Sequence, residues 1–294
     1  MSDAVIDLEM CRPVYLPSEQ WVEAAEEAIR RNPANAPLVM PRADGDEDEP
    51  PSPQHLAVLT SKYWGAKGVK LTVGFPFDSP DVTTRRMILA HMNAWGTRSN
   101  VQFVESATSP QVRIARTPGQ GYYSYLGTDV LQIPRNQPTM NLDSFTSNTP
   151  EEEYRRVVRH EAGHTLGFPH EHARRDIIAL LDAAKVTAEY ARLYGWKART
   201  VQEQILTPLE ERAIMGTPSA DTTSIMTYAF SGRCTRSGQP IPGGNDINES
   251  DYEFAAKLYP PVVAPPPPPP PAGGLIIIDL VKRTYSFPSD WKGT

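Results

Sequence analysis

Arg159-His160-Glu161-Ala162-Gly163-His164-Thr165-Leu166-Gly167-Phe168-Pro169-His170-Glu171 decides how this chain is read. On a helix, His160 and His164 lie four residues apart on one face, so both imidazoles can reach one metal ion, with Glu161 beside them. Gly167 can adopt a positive φ, which ends the helix and lets His170 swing back as a third ligand. Three neutral nitrogens at about 2.0–2.1 Å leave a fourth tetrahedral position open to water, which separates a catalytic zinc site from a closed structural one. The plain alternative, two ordinary helix histidines, accounts for H-E-x-x-H alone but not for the added glycine and third histidine at fixed offsets. The expected cofactor is therefore one catalytic Zn2+.

Upstream, Thr149-Pro150-Glu151-Glu152 reads as the start of the helix that carries this motif, with Thr149 as N-cap, Pro150 at the first helical position and Glu152 closing a capping box. A capped helix is a rigid support for a site that needs fixed geometry. Further back, Lys70 to Phe75 alternates as a strand. Ser79-Pro80 opens a helix through about Trp95, with Ile88, Leu89, Met92 and Trp95 on its buried side. Val101 to Val104, Gln111 to Ala115, Tyr123 to Leu126 and Val130 to Ile133 read as short extended pieces. Such alternation predicts a twisted mixed sheet with helices packed against it.

Downstream, a helix is expected from Asp182 to Tyr194, ending at Gly195, and a shorter one from Thr200 to Leu206. Residues 207–247 are largely loop and contain Ser224-Ile225-Met226-Thr227-Tyr228. Ser250 is expected to cap a last helix, Asp251 to Leu258, ended by Pro260-Pro261.

The flanks differ from this middle. Residues 1–55 read as an accessory segment with a helix from Ser18 to about Arg31 and an acidic, proline-rich linker, Asp44 to Pro53, that has little to bury. Residues 56–260 form the compact domain, and residues 261–294 a spacer and tail. Pro265 to Pro271 is a polyproline II run, a spacer or a ligand for a partner with an aromatic groove; Leu275 to Leu280 is strand-like.

With 39% hydrophobic residues, the 294-residue chain has enough apolar content for a core. Its net charge of -6 offers no basic field, so no nucleic-acid or membrane partner is expected. Cys11 and Cys234 are the only cysteines, too few for a disulfide framework. Met1 to Met10 lacks the pattern of a secretory signal, and no segment is long enough to span a bilayer, which leaves localisation open between cytoplasmic action and unconventional export.

The extended motif, followed by Met226 in a turn-like segment, resembles the metzincin metallopeptidases. Gly167-Phe168 and Glu171 directly after the third histidine are similar to the astacin branch. So are Tyr63-Trp64-Gly65-Ala66-Lys67-Gly68-Val69, Tyr123-Ser124-Tyr125-Leu126-Gly127 and the Ser224 to Tyr228 turn. The resemblance spans about residues 56–260. It implies an α+β metzincin zinc-peptidase domain, with a twisted mixed β-sheet in an upper subdomain that carries the active-site helix, and a mostly irregular and helical lower subdomain after Gly167.

By the same resemblance, His160, His164 and His170 would bind zinc, and Glu161 would be general base and then proton shuttle. Met226 would form an apolar floor under the metal. Tyr228 would be the tyrosine that can ligate resting zinc and move away for substrate, then share the charge on the carbonyl oxygen. A protein or peptide substrate would lie extended along an edge strand within Gln120 to Ile133. The chain departs from the animal members in lacking their paired cysteines, with Tyr122 where one is expected, which implies a bacterial-type relative.

Several residues stay open at this point. Residues 1–55 are a candidate inhibitory pro-segment, acting through Asp46 in a Gly45-Asp46 pair or through a Cys11 thiolate on the metal; the plain reading is an acidic linker and an inert thiol. His172 reads as a histidine on the surface or behind the metal ligands, and His55 and His91 as ordinary residues. Glu171 is a solvated charge or, by the resemblance, has a buried partner. Arg174 and Arg175 either line the primed side of the cleft or form a solvated face. The functional reading is a zinc metalloendopeptidase. Its rivals are a latent or catalytically silent metzincin-like binding protein and a zinc hydrolase acting on a non-peptide amide.

Overall fold

In β1 (Val69–Gly74), Val69, Leu71 and Val73 turn into the core while Lys70 stays exposed, the period of a strand with one covered face. The computed structural model describes residues 11–37, 60–208 and 219–261, and the backbone of 277–279 and 284–286. β1 pairs in parallel with β2 (Val101–Glu105) and with β3 (Val112–Ala115). Parallel neighbours need a crossover, and α2 (Val82–Met92) lies between β1 and β2 in the chain, after α1 (Trp21–Arg31) of the N-terminal segment. β4 (Tyr123–Ser124) runs antiparallel to β5 (Met140–Asn141), which is parallel to β3, so the sheet order is β2-β1-β3-β5-β4 with β4 at the edge. This is the expected mixed sheet.

Several boundaries differ from the sequence expectation, each for a local reason. α2 is capped by Asp81, whose side chain accepts from the Thr84 amide at 3.0 Å, and Trp95 falls in a following 3-10 turn, Asn93–Thr97. Val130 to Ile133 is not extended: Gly127–Leu131 is a 3-10 turn fixed by the Thr128 amide on the Lys62 carbonyl at 3.0 Å. The N-terminal helix is entered through a 3-10 turn, Ser18–Gln20, without a cap from Ser18.

Thr149 does not cap the motif helix. Its hydroxyl accepts from the Thr146 amide at 3.0 Å, within the preceding turn, and Pro150 takes the N-cap position without a side-chain bond. That helix, α3, consists of α-helical turns Glu151–Glu153 and Arg159–Thr165 joined by a π-helical turn, Tyr154–Val158. π-Helical turns often mark functional sites, and this one directly precedes the metal motif.

Gly167, at φ +99°, ends α3 and divides the domain. Above it, Leu71, Val73, Ile88, Met92, Trp95, Ile114 and Tyr154 belong to one core. Below it come α4 (Arg175–Ile178), α5 (Ala183–Tyr194) and α6 (Ala198–Val201), the last continued by a π-helical turn, Gln202–Leu206. Ile177, Leu181, Val186, Tyr190, Val201 and Ile205 make a second core there. The chain then returns upward into α7 (Glu249–Leu258), capped by Asn248 in a capping box with Asp251 rather than by Ser250.

The described N-terminal residues pack on this domain. Leu16 and Ala24 cluster with Ile133, and Trp21 and Tyr125 pack against them. The Asn32 amide donates to the Trp64 carbonyl at 2.8 Å, while Asn35 donates to the Tyr63 carbonyl at 2.7 Å and accepts from the Tyr63 amide at 3.0 Å. Residues from Val262 onward are grouped as a second unit, in which β6 (Ile277–Asp279) pairs antiparallel with β7 (Thr284–Ser286). The acidic linker with Asp46, His55 and the proline run fall outside the described residues.

A Cβ on Gly167 would stand 2.9 Å from Tyr63 Cδ1 and 3.0 Å from the Lys62 carbonyl oxygen, on top of the unfavourable φ. Gly167→Ala is expected to lower the unfolding free energy by about 1–3 kcal/mol, measured by denaturant titration of the zinc-loaded protein.

Candidate metal centre

One turn of α3 brings His160 and His164 together, and the bend at Gly167 brings His170 to them. The Nε2 atom of His170 lies 3.3 Å from that of His160 and 3.1 Å from that of His164. The tautomers follow from the opposite ring atoms. His160 Nδ1 donates to the Ile225 carbonyl at 2.7 Å and His164 Nδ1 to the Phe168 carbonyl at 2.8 Å, since a carbonyl can only accept. Both Nε2 atoms are therefore bare lone pairs aimed at the Nε2 of a third ring.

A proton on His170 Nε2 can serve only one of these lone pairs at a time, whereas a cation at the centre satisfies all three nitrogens together. Two nitrogens each about 2.0–2.1 Å from a tetrahedral centre stand about 3.3–3.4 Å apart, close to the spacing seen here. Burial pushes the histidines down, His164 to about 4 and His160 and His170 well below the usual range, so they are held in the neutral form that metal ligation requires. Glu161 is 1% exposed, and both its carboxylate oxygens lack a hydrogen-bond partner. Burial pushes its carboxyl up to about 8, against smaller downward pulls from the Cys11 thiol and the Arg156 guanidinium. A buried carboxylate with unused acceptors beside three converging nitrogens is positioned to handle a proton there. The donor set fits zinc.

The floor comes from the segment Ser224 to Tyr228. A Cβ on Gly163 would meet Met226 Sδ at 2.6 Å and Trp95 Cζ2 at 3.1 Å, so the glycine inside the motif is what lets the methionine approach the helix. Buried Asp251 ties the turn from α7: its carboxylate accepts from Ser224 Oγ at 2.6 Å, the Ile225 amide at 3.0 Å and the Asn248 amide at 3.0 Å. The Glu171 amide donates to the Met226 carbonyl at 2.9 Å, which locks the third ligand's loop onto the same turn.

A fourth group enters from the N-terminal segment. The Cys11 thiol and the three histidine nitrogens all lie within 4.8 Å of one another, the only such His/Cys/Asp/Glu cluster among the described residues. Cys11 forms a parallel bridge with Tyr122 at the sheet edge, and the Arg12 amide donates to the Tyr122 carbonyl at 2.6 Å. The Tyr228 hydroxyl donates to the Cys11 carbonyl at 2.6 Å. Of the two expected candidates, Cys11 lies beside the three histidine nitrogens, and Asp46 falls outside the described residues. Cys11 and Cys234 are both free and buried, and both line a cavity of about 760 Å³ that also borders His160, Glu161, Tyr190 and Phe230.

The remaining candidates take other roles. His172 is fully buried, not on the surface, with its ring stacked on Tyr228 at 4.0 Å between centroids. Arg174 is buried and donates to Glu171 Oε1 at 3.2 Å and the Ser219 carbonyl at 3.1 Å; neither Arg174 nor Arg175 lines the cavity. Glu171 also accepts from the Asp221 amide at 3.2 Å, so it has buried partners within the chain. His91 stacks on Tyr154 and accepts from Arg159 Nε at 3.3 Å, an internal packing role. Asp251 was not anticipated, although Asn248 followed three residues later by an acid is the mark of a capping box.

Known proteins resemble this chain. Residues 60–239 match the family model for astacin, a peptidase family. The zinc metalloproteinase nas-27 of Caenorhabditis elegans is 33% identical over 122 residues, which is 41% of this chain and 26% of that protein, so the chain aligns with about a quarter of that relative's length. A solved structure of myroilysin superposes with a TM-score of 0.63 at 31% identity, over 69% of this chain and 97% of that one. A second myroilysin crystal structure gives 0.51 at 32% identity, over 68% and 87%. On the family match and the structural likeness together, the chain belongs to the astacin family of zinc metallopeptidases.

Proposed function

We propose that the domain is an endopeptidase that hydrolyses peptide bonds of protein or peptide substrates, with Glu161 as the group that moves the proton. The observation that carries this reading is the buried Glu161 carboxylate, without hydrogen-bond partners, beside three converging imidazole nitrogens. His160, His164 and His170 would hold the zinc ion, which when bound supplies Lewis-acid polarisation and a lowered pKa for water at its open position. Glu161 accepts a proton as the water oxygen bonds to the scissile carbonyl carbon. It then delivers that proton to the nitrogen as the C–N bond breaks, so the amine leaves neutral.

The Tyr228 hydroxyl serves as a donor to the carbonyl oxygen, where charge develops. Its bond to a main-chain carbonyl, that of Cys11, is the pose such a role requires. The edge of β4 accepts an extended chain through main-chain pairing, the mode that Arg12 adopts with Tyr122. A silent binding protein would be expected to lack the base or a ligand, and this chain carries all four residues.

We further propose that the N-terminal segment keeps this enzyme latent through Cys11. A thiolate at the fourth position of the metal would exclude water, and the Cys11–Arg12 main chain covers the same edge that a substrate would use. Leu16, Trp21 and Ala24 on one side and Asn32 and Asn35 on the other fasten the segment to the domain.

Two measurements test these readings. Glu161→Ala is expected to retain zinc, by metal analysis, and to lose casein hydrolysis by a factor of about 10²–10⁴; hydrolysis at the original rate would reject the role. The full chain carrying Cys11→Ala is expected to cleave casein at least about tenfold faster than the unaltered full chain, the gain from freeing a metal position held by a ligand worth more than about 1.4 kcal/mol. Equal rates for the two would reject latency through Cys11.

A further inference from the structure

His172 is a buried polar ring that neither the metal ligation nor the proton transfer uses. It stands two residues beyond His170, 0% exposed, and its face lies over the Tyr228 ring at 4.0 Å between centroids and 27° between planes. Phe230 meets the edge of the His172 ring at 5.7 Å and 69°, which supports the platform from the lower core. Tyr228 also meets His170 at 4.5 Å with the planes at 62°, and the His170 and His172 rings are themselves 5.0 Å apart, so the two imidazoles are adjacent neighbours of the phenol. The phenol ring thus rests on one nearly parallel face and against one crossing ring beside it.

These contacts restrain motion unequally. Two stacked faces can slide in their common plane with little loss of contact, whereas tilting a ring away separates them. The crossing His170 ring limits travel on the side of the metal ligands. The hydroxyl at the end of Tyr228 reaches the Cys11 carbonyl at 2.6 Å, so the stacked pose is one in which Tyr228 holds the carbonyl of a chain lying in the cleft.

We propose that His172 is a positioning residue for Tyr228: its ring face is the platform that fixes the phenol where the hydroxyl meets a bound main-chain carbonyl. This rests on the reading of Tyr228 as a carbonyl donor. The role belongs to the ring face, so an aromatic hydrocarbon replaces it and an aliphatic side chain of similar bulk does not.

The test is a double-mutant cycle on the full-length, zinc-loaded chain with His172→Leu, Tyr228→Phe and both. The readout is the rate of alkylation of Cys11 by iodoacetamide, with the labelled peptide identified by mass to separate it from Cys234. Each single change is expected to raise the rate about threefold to tenfold, the worth of one stacked pair or one hydrogen bond. The double variant should go no faster than the faster single, because both act on one contact. His172→Phe should label at the unaltered rate, and zinc content should be the same in all of them.

Multiplicative effects, an unchanged rate in His172→Leu or in Tyr228→Phe, zinc loss in His172→Leu, or failure of both His172→Leu and His172→Ala to fold would each overturn the proposal. A second arm repeats the cycle in the full chain with Cys11→Ala, reading casein hydrolysis. His172→Leu is expected to lower kcat by the same factor as Tyr228→Phe with KM unchanged, and the double variant no further. Hydrolysis unaffected by Tyr228→Phe would sink the donor role of Tyr228 itself, an outcome distinct from additivity in the labelling cycle.

Discussion

Two carbonyl oxygens govern this structure. Phe168 O and Ile225 O accept the Nδ1 protons of His164 and His160, and so leave Nε2 of each ring bare and fixed in direction. The first carbonyl is in place because Gly167 turns the chain as α3 ends, and the second because Asp251 holds the segment around Ile225 from α7. Without either, the rings would be free to rotate or to take the other tautomer, and the three nitrogens would not converge. The sheet, α3 and the return of the chain into α7 serve to place these two oxygens.

That dependence also explains the closeness of the two lobes. Met226 lies in the upper core and Tyr228, two residues on, in the lower one, so a single turn belongs to both. Gly163 permits the contact at the helix, and the Glu171 amide fastens the third ligand's loop to the Met226 carbonyl. A strain at any of these points reaches the metal nitrogens through close-packed atoms rather than through a flexible linker.

The motif was legible because it is local. His160, His164, Gly167 and His170 fall within eleven residues, and helical spacing with one positive φ fixes how they meet. The positions of β1, β2 and β3 were legible by alternation, and α5 by its closing Gly195. What failed was chemistry in which a side chain or backbone group takes a partner other than the one its local pattern suggests. Thr149 has the pattern of an N-cap but spends its hydroxyl on the Thr146 amide, and Val130 to Ile133 has a strand-like composition but is folded by a bond from the Thr128 amide to Lys62, far back in the chain. His172 looked like one more polar residue after the motif, since nothing in its neighbourhood tells that Tyr228 and Phe230, more than fifty residues later, will enclose it.

The N-terminal segment shows how weak contacts can hold a reactive group in place. Cys11 alone is one thiol near three nitrogens, and its own bond to a metal would compete with water. The segment carries it on a chain pinned at two further places, the Leu16–Ala24–Ile133 cluster and the Asn32 and Asn35 bonds to the residues just before β1. Tethering at both turns binding of the thiol into an intramolecular event, with an effective concentration on the order of millimolar or above. A cut in the linker between residues 37 and 60 would leave every one of those contacts in place. In the latent reading, release then depends on the sum of these non-covalent terms and the thiolate bond, not on the integrity of the linker. In that reading, freeing the metal position from the Cys11 thiol would admit water, and loosening of the segment from the domain would clear the sheet edge.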